Sequence, residues 1–214
     1  MCSKKGWEPL KKTAIAASFA VLAPLFSICP AIPNLVQPVL AASEDVASVT
    51  DEQISGKSFC VSRQLIHARP EQVWQVLSDY SNAPRVFPMM KKCQVLEDHG
   101  QRKLVRHSVT PSGPFGTFEY IVEIREQAPK SLEWHRKSGD FREVDGFWKL
   151  EPMDSGRSTL VTYSSHVLGG FLTPPVVIRR QVHADMPQVM ACLKHQAESN
   201  SEIATAHPGS SRTQ

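Results

Sequence analysis

A chain of 214 residues is enough for one domain with appendages, and its net charge of +3 is mildly basic. The excess sits at the front, where residues 1–41 hold Lys4, Lys5, Lys11 and Lys12 against Glu8 alone; the basic and acidic side chains of the remainder balance. A body without net charge offers little to a polyanion, whose binding scales with the phosphates neutralised, so nucleic acid is not the expected partner.

The first 41 residues read as an export signal. A lysine-flanked start precedes an apolar run over residues 14–26, and Val39-Leu40-Ala41 offers a cleavage site before Ala42. The rival reading is an uncleaved membrane anchor. Pro24, Pro30, Pro33 and Pro38 oppose one straight span, and the unbroken part falls short of the roughly 20 residues a span needs. The expected location is therefore periplasm, lumen or secreted, with membrane anchorage as the alternative. Residues 42–57 are then a polar linker. Cys60, Cys93 and Cys192 are odd in number after cleavage and are expected to be free thiols.

The folded part is expected over residues 58–198. Residues 58–66 lean toward a strand. Over residues 68–90, Pro70 is placed at the first position of a helix, and Glu71 suits its positive dipole end. Val73, Val76, Leu77 and Tyr80 follow at helical spacing on one stripe. Pro84 and Pro88 then bracket a second short piece carrying Val86 and Phe87. Two such short helices cannot bury themselves and need a curved surface to close.

Strands follow at residues 94–97 and 103–110, the latter with Val105, His107 and Val109 on one face. A Pro- and Gly-rich loop covers 111–116. Residues 117–127 alternate, with Phe118, Tyr120, Val122 and Ile124 in step, the mark of a strand buried on one side. Residues 132–136, 141–151 and 158–168 continue the pattern, the last two with Val144, Trp148 and Leu150, then Val161, Tyr163 and Val167. Seven strands joined by short turns make a meander. An apolar, glycine-bearing loop at 168–175 leads into a helix over 176–198, with Val182, Met186, Val189, Met190, Leu193 and Ala197 at helical spacing. Pro187 is expected to kink or split it, with Asp185 capping the second half. Residues 199–214 are expected to be a disordered tail.

Chemistry-bearing motifs are few. Cys192, His195 and His183 share the last helix but lack the companions that a four-ligand zinc site requires, so no metal is expected, and no cofactor. His107 and His135 are expected to point outward or toward polar rims. An enzyme would need an acid or base inside the fold, and Tyr120, Arg136, Tyr163 and His166 are the candidates by strand position. There is no nucleophile elbow and no phosphate-binding glycine loop, and no catalytic residue is assigned. The pairs Lys91-Lys92, Arg102-Lys103 and Arg179-Arg180 read as solvated surface.

Several of these segments together carry a resemblance. They are Ile66-His67-Ala68, then Arg69-Pro70-Glu71-Gln72-Val73-Trp74, then Leu77-x-Asp79-Tyr80 and Pro84-Arg85-x-Phe87-Pro88. Gly146-Phe147-Trp148-Lys149-Leu150-Glu151-Pro152, the strand with Tyr163 and the proline-led last helix complete the set. Over residues 57–198 the chain resembles the START-like superfamily of polyketide cyclases, coenzyme Q-binding proteins and lipid-transfer domains.

The resemblance implies an α+β helix-grip fold. A seven-stranded, curved antiparallel sheet would wrap the C-terminal helix, and two short helices between strands one and two would close one end of a pocket. The ligand would meet Phe87, Met89, Phe118, Tyr120, Trp134, Trp148, Tyr163, Val182, Met186, Val189 and Met190. Gly113, Phe115, Gly169, Gly170, Phe171 and Leu172 would form a gate making transient membrane contact. The implied function is binding and transport or sequestration of a small hydrophobic molecule, such as a quinone, isoprenoid or lipid. The alternative is a cyclase or aromatase acting on a polyketide-like substrate.

Overall fold

The computed structural model describes residues 47–170 and 173–206. The expected signal or anchor over 1–41, the gate residues Phe171 and Leu172 and the tail beyond 206 lie outside the described residues. Eight antiparallel strands form one sheet: β1 (Ser48–Ile54), β2 (Lys57–Ile66), β3 (Met90–His99), β4 (Arg102–Val109), β5 (Phe118–Gln127), β6 (Ser131–Gly139), β7 (Glu143–Met153) and β8 (Ser158–Leu168). Their order is β1-β2-β8-β7-β6-β5-β4-β3. β3 to β8 are therefore the expected meander, and β2 joins it by pairing with β8. Helices α1 (Pro70–Ser78) and α2 (Ala83–Val86) connect β2 to β3, and α3 (Pro175–Ala206) closes the chain.

Two boundaries differ from expectation. The stretch read as a linker, 42–57, contains β1, which makes the sheet eight-stranded rather than seven. Ser55 and Gly56 have positive φ (50° and 79°) and form a two-residue turn with Ile54 opposite Lys57. A turn of that hand matches the twist of the strands it joins. β1 escapes a pattern search because it is an edge strand whose residues are largely polar, and edge strands tolerate charges such as Asp51 and Glu52. At the other end, the helix continues through residues expected as tail to Ala206.

α3 also runs unbroken through Pro187 instead of splitting there. Met186, just before the proline, and Met190, three residues after it, are both fully buried, Met186 on a cavity and Met190 in the core. Asp185 caps nothing; its carboxylate accepts hydrogen bonds from the backbone N–H of Ser112 (3.3 Å), the Ser112 hydroxyl and the Gln181 amide (2.8 Å).

The helical pair is built as its sequence implies. Pro70 opens α1, the Arg69 N–H donates to the Gln72 side chain (2.9 Å), and Val73, Val76, Leu77 and Tyr80 are buried. Tyr80 is locked by its hydroxyl, which donates to Glu126 on β5. The core lies where the second half of α3 meets α1 and the sheet: Ile66, Val73, Val105, Val122, Val161, Met190, Leu193 and Ala197 are all sealed from solvent. Register shifts in the β3–β4 and β5–β6 pairings add bulges, which bend the sheet. Among the described residues the three cysteines, Cys60, Cys93 and Cys192, are free, and Cys60 on β2 and Cys93 on β3 stand on strands far apart in the sheet order.

Candidate ligand cavity

The first half of α3 touches the sheet at the β1 edge, where His183 bonds to Asp51 (2.8 Å), but stands off the strands that face Val182 and Met186. Between them lies a cavity of about 630 Å³. Its far end is closed by Leu77, Tyr80, Ala83 and Phe87 of the helical segment. Its other end is flanked by the exposed residues Phe115, Asp140, Gly170, Thr173 and Val177, which belong to the loop before β5, the β6–β7 turn, the β8–α3 connection and the start of α3.

Aromatic side chains build one wall. Trp148 and Tyr163 stack at 4.0 Å between centroids, and Trp134 lies 6.1 Å from Tyr163. Phe141 lies 4.9 Å from Phe118 and 5.5 Å from Tyr120. Gly146 makes this packing feasible. A Cβ there would stand 2.6 Å from Trp134 Cε2 and would overlap the Ser164 carbonyl, so the indole uses the space a side chain would take.

Of the residues expected to meet a ligand, Phe87, Met89, Phe118, Tyr120, Trp134, Trp148, Tyr163, Val182, Met186 and Val189 line the cavity. Met190 does not; it is fully buried one turn beyond Met186, where the helix has met the sheet and packs in the core. Of the expected gate, Phe115, Gly169 and Gly170 line the cavity. Gly113 does not, and lies under the Phe115 ring, 3.4 Å from where its Cβ would be.

His107, expected to point outward or toward a polar rim, lines the cavity with its ring centroid 5.3 Å from that of Tyr120. The signal was present, since His107 is in step with the inward Val105 and Val109. Phe141, Ser165, Val167, Gln181 and Asp185 also line it without having been singled out. His135 does lie outside, 2.9 Å from Asp145. Of the acid–base candidates, Tyr120 and Tyr163 face the cavity. His166 is bonded to the Ser58 carbonyl (2.7 Å) against Phe59, and Arg136 donates to the Gly139 carbonyl (2.9 Å); neither lines the cavity.

Burial sets the electrostatics. It pushes the His107 imidazole down to about 4, keeping it neutral near pH 7, and pushes the Tyr163 phenol up to about 12. Burial raises Tyr120 as well. The cavity can thus take apolar bulk and offer uncharged hydrogen-bonding groups to an oxygen, with His107 and Tyr120 side by side. At the mouth, Asp185, Ser112 and Gln181 tie the 111–116 loop to α3.

The sequence pattern of the family described as "Polyketide cyclase / dehydrase and lipid transport" fits residues 66–194. The chain belongs to that family. Its fold is the START-like helix-grip. The aromatase/cyclase Zhui of a Streptomyces species has 15% identity and a TM-score of 0.58, with 71% of this chain and 97% of that one covered. A STAR-related lipid transfer protein of Xanthomonas axonopodis gives the same identity and TM-score, covering 71% of this chain and 98% of its own. In sequence, a protein of Streptomyces halstedii named "Putative polyketide cyclase" is 26% identical over 96 residues, which is 44% of this chain and 88% of the relative. The family thus spans both an enzymatic and a carrier branch, on one architecture.

Proposed function

We propose that this protein binds a small hydrophobic molecule in the cavity under α3 and carries or sequesters it. A quinone, an isoprenoid or a lipid would suit. The observation that carries this reading is a largely apolar space of about 630 Å³ whose histidine and tyrosines are held uncharged. That volume lies within the usual range for small-molecule sites. Each 100 Å² of apolar ligand surface removed from water would contribute about 2.5 kcal/mol, so binding requires no ion pair. Phe115, Val176 and Val177 are exposed apolar side chains around the mouth, with Arg179 and Arg180 following, and this supports delivery at a lipid surface. The N-terminal segment would direct the protein to an exported compartment; N-terminal sequencing of the mature chain tests that.

The experiment is extraction of the protein purified from its native host, with mass spectrometry of what is released. One hydrophobic compound at near one per chain supports the reading. A cavity that purifies empty and takes up no quinone, isoprenoid or lipid contradicts it.

One observation favours the enzymatic branch as a second reading. His107 and Tyr120 form a neutral base–acid pair facing the cavity, the kind of groups that a cyclisation or dehydration of a polyketide-like chain would use. Turnover lost in His107→Gln with ligand affinity retained would establish it.

A further inference from the structure

We propose that Asp51, Cys60 and His183 form a binding site for zinc or a similar divalent cation, where α3 crosses the β1–β2 hairpin. Asp51 and Cys60 stand directly opposite each other in the hairpin, so their side chains leave the sheet on the same face. His183 follows the cavity-lining Val182 on α3. Its Nε2 is 2.8 Å from Asp51 Oδ1, the Cys60 Sγ is 3.8 Å from that same oxygen, and the three atoms all lie within 4.8 Å of one another. None of the three lines the cavity, so the site is independent of the ligand reading.

Sulfur, imidazole nitrogen and carboxylate oxygen are the donors that zinc takes, at about 2.0–2.3 Å. Donors at those lengths around a tetrahedral ion lie roughly 3.3–3.6 Å apart, a range that the 2.8 Å and 3.8 Å spacings seen here bracket. Three ligands from three elements leave the fourth position to water. Cys60 is buried while the Asp51 and His183 side chains are about one-third exposed, which leaves a path from solvent.

The surroundings suit a ligating carboxylate. Arg179, one turn before His183, places Nη1 3.7 Å from Asp51 Oδ2, the oxygen that does not face the histidine and the cysteine. An outer-shell partner of that kind orients a metal-bound carboxylate. On binding, the Cys60 thiol proton leaves to solvent, and the thiolate and the Asp51 carboxylate balance the two charges of the ion. Without an ion the thiol has only a weak S–H···O contact to Asp51, a poor use of a cysteine. An occupied site would tie the half of α3 that roofs the cavity to the edge hairpin.

The test is titration of the chelator-treated full chain with Co²⁺, followed by competition with Zn²⁺. One equivalent of Co²⁺ should produce the intense near-ultraviolet charge-transfer band of a thiolate–cobalt bond, and Zn²⁺ should abolish it. The band should vanish in Cys60→Ser and persist in Cys93→Ser and Cys192→Ser. His183→Gln, on a part-exposed helix flank, should fold and lose at least about tenfold in affinity, which decides the matter if Cys60→Ser does not fold. No band in the parent protein, or unchanged metal affinity in His183→Gln, overturns the proposal.

Discussion

Trp148 and Tyr163 stand directly opposite each other on β7 and β8, and their rings stack with planes 12° from parallel. The pair is both a cross-strand contact and a piece of the cavity wall, so its loss should be felt twice. Trp148→Ala should destabilise the fold by about 3–5 kcal/mol, read as a lower urea midpoint, through lost burial and an enlarged void. Tyr163→Phe keeps the ring and should cost only about 1 kcal/mol.

Gly146 tests how tightly that wall is fitted. Gly146→Ala puts a methyl group where the Trp134 indole and the Ser164 carbonyl already are. Overpacking against backbone should cost about 1–3 kcal/mol, with Trp134 displaced into the cavity and a changed near-ultraviolet circular dichroism spectrum. A variant of parental stability and unaltered spectrum would show that the wall yields freely.

His107 gives the fold a pH dependence with a definite sign. The unfolded chain takes up its proton near the ordinary 6.5, the folded one only at about 4. Between those values the unfolded state binds more protons, so stability falls as pH falls. The contribution is complete above about pH 6.5 and is lost as pH descends to about 4. Urea midpoints measured across that window should decline less steeply in His107→Gln than in the parent. Equal slopes would mean that the imidazole is already solvated.

Most of the sheet was legible because β4 to β8 each bury one face, and a period of two in Phe118, Tyr120, Val122 and Ile124 has no other simple cause. β1 was not legible, since its partners are supplied by β2 and its own residues are mostly polar. Every strand residue expected in the site lines the cavity, but His107 on β4 and Ser165 and Val167 on β8 join them, and on α3 the stripe was taken one turn too far. Helical spacing identifies the inner stripe, but it cannot say where along that stripe the helix lifts from the sheet. Met186 thus faces the cavity while Met190, one turn on, is core. Pro187 does not split the helix, which stays continuous from Pro175 to Ala206.

The central claim is that the space under α3 is a ligand site. It is tested most directly by filling it. Val182 lines the cavity from the helix, and Val182→Trp adds bulk there while leaving the buried core beyond Met190 alone. Titration with a fluorescent hydrophobic probe should show one site per chain in the parent. Affinity should fall at least about tenfold, or 1.4 kcal/mol, in the variant, with its melting temperature nearly unchanged. A variant that binds the probe as tightly as the parent would contradict the account, because the probe would then be held somewhere other than this cavity.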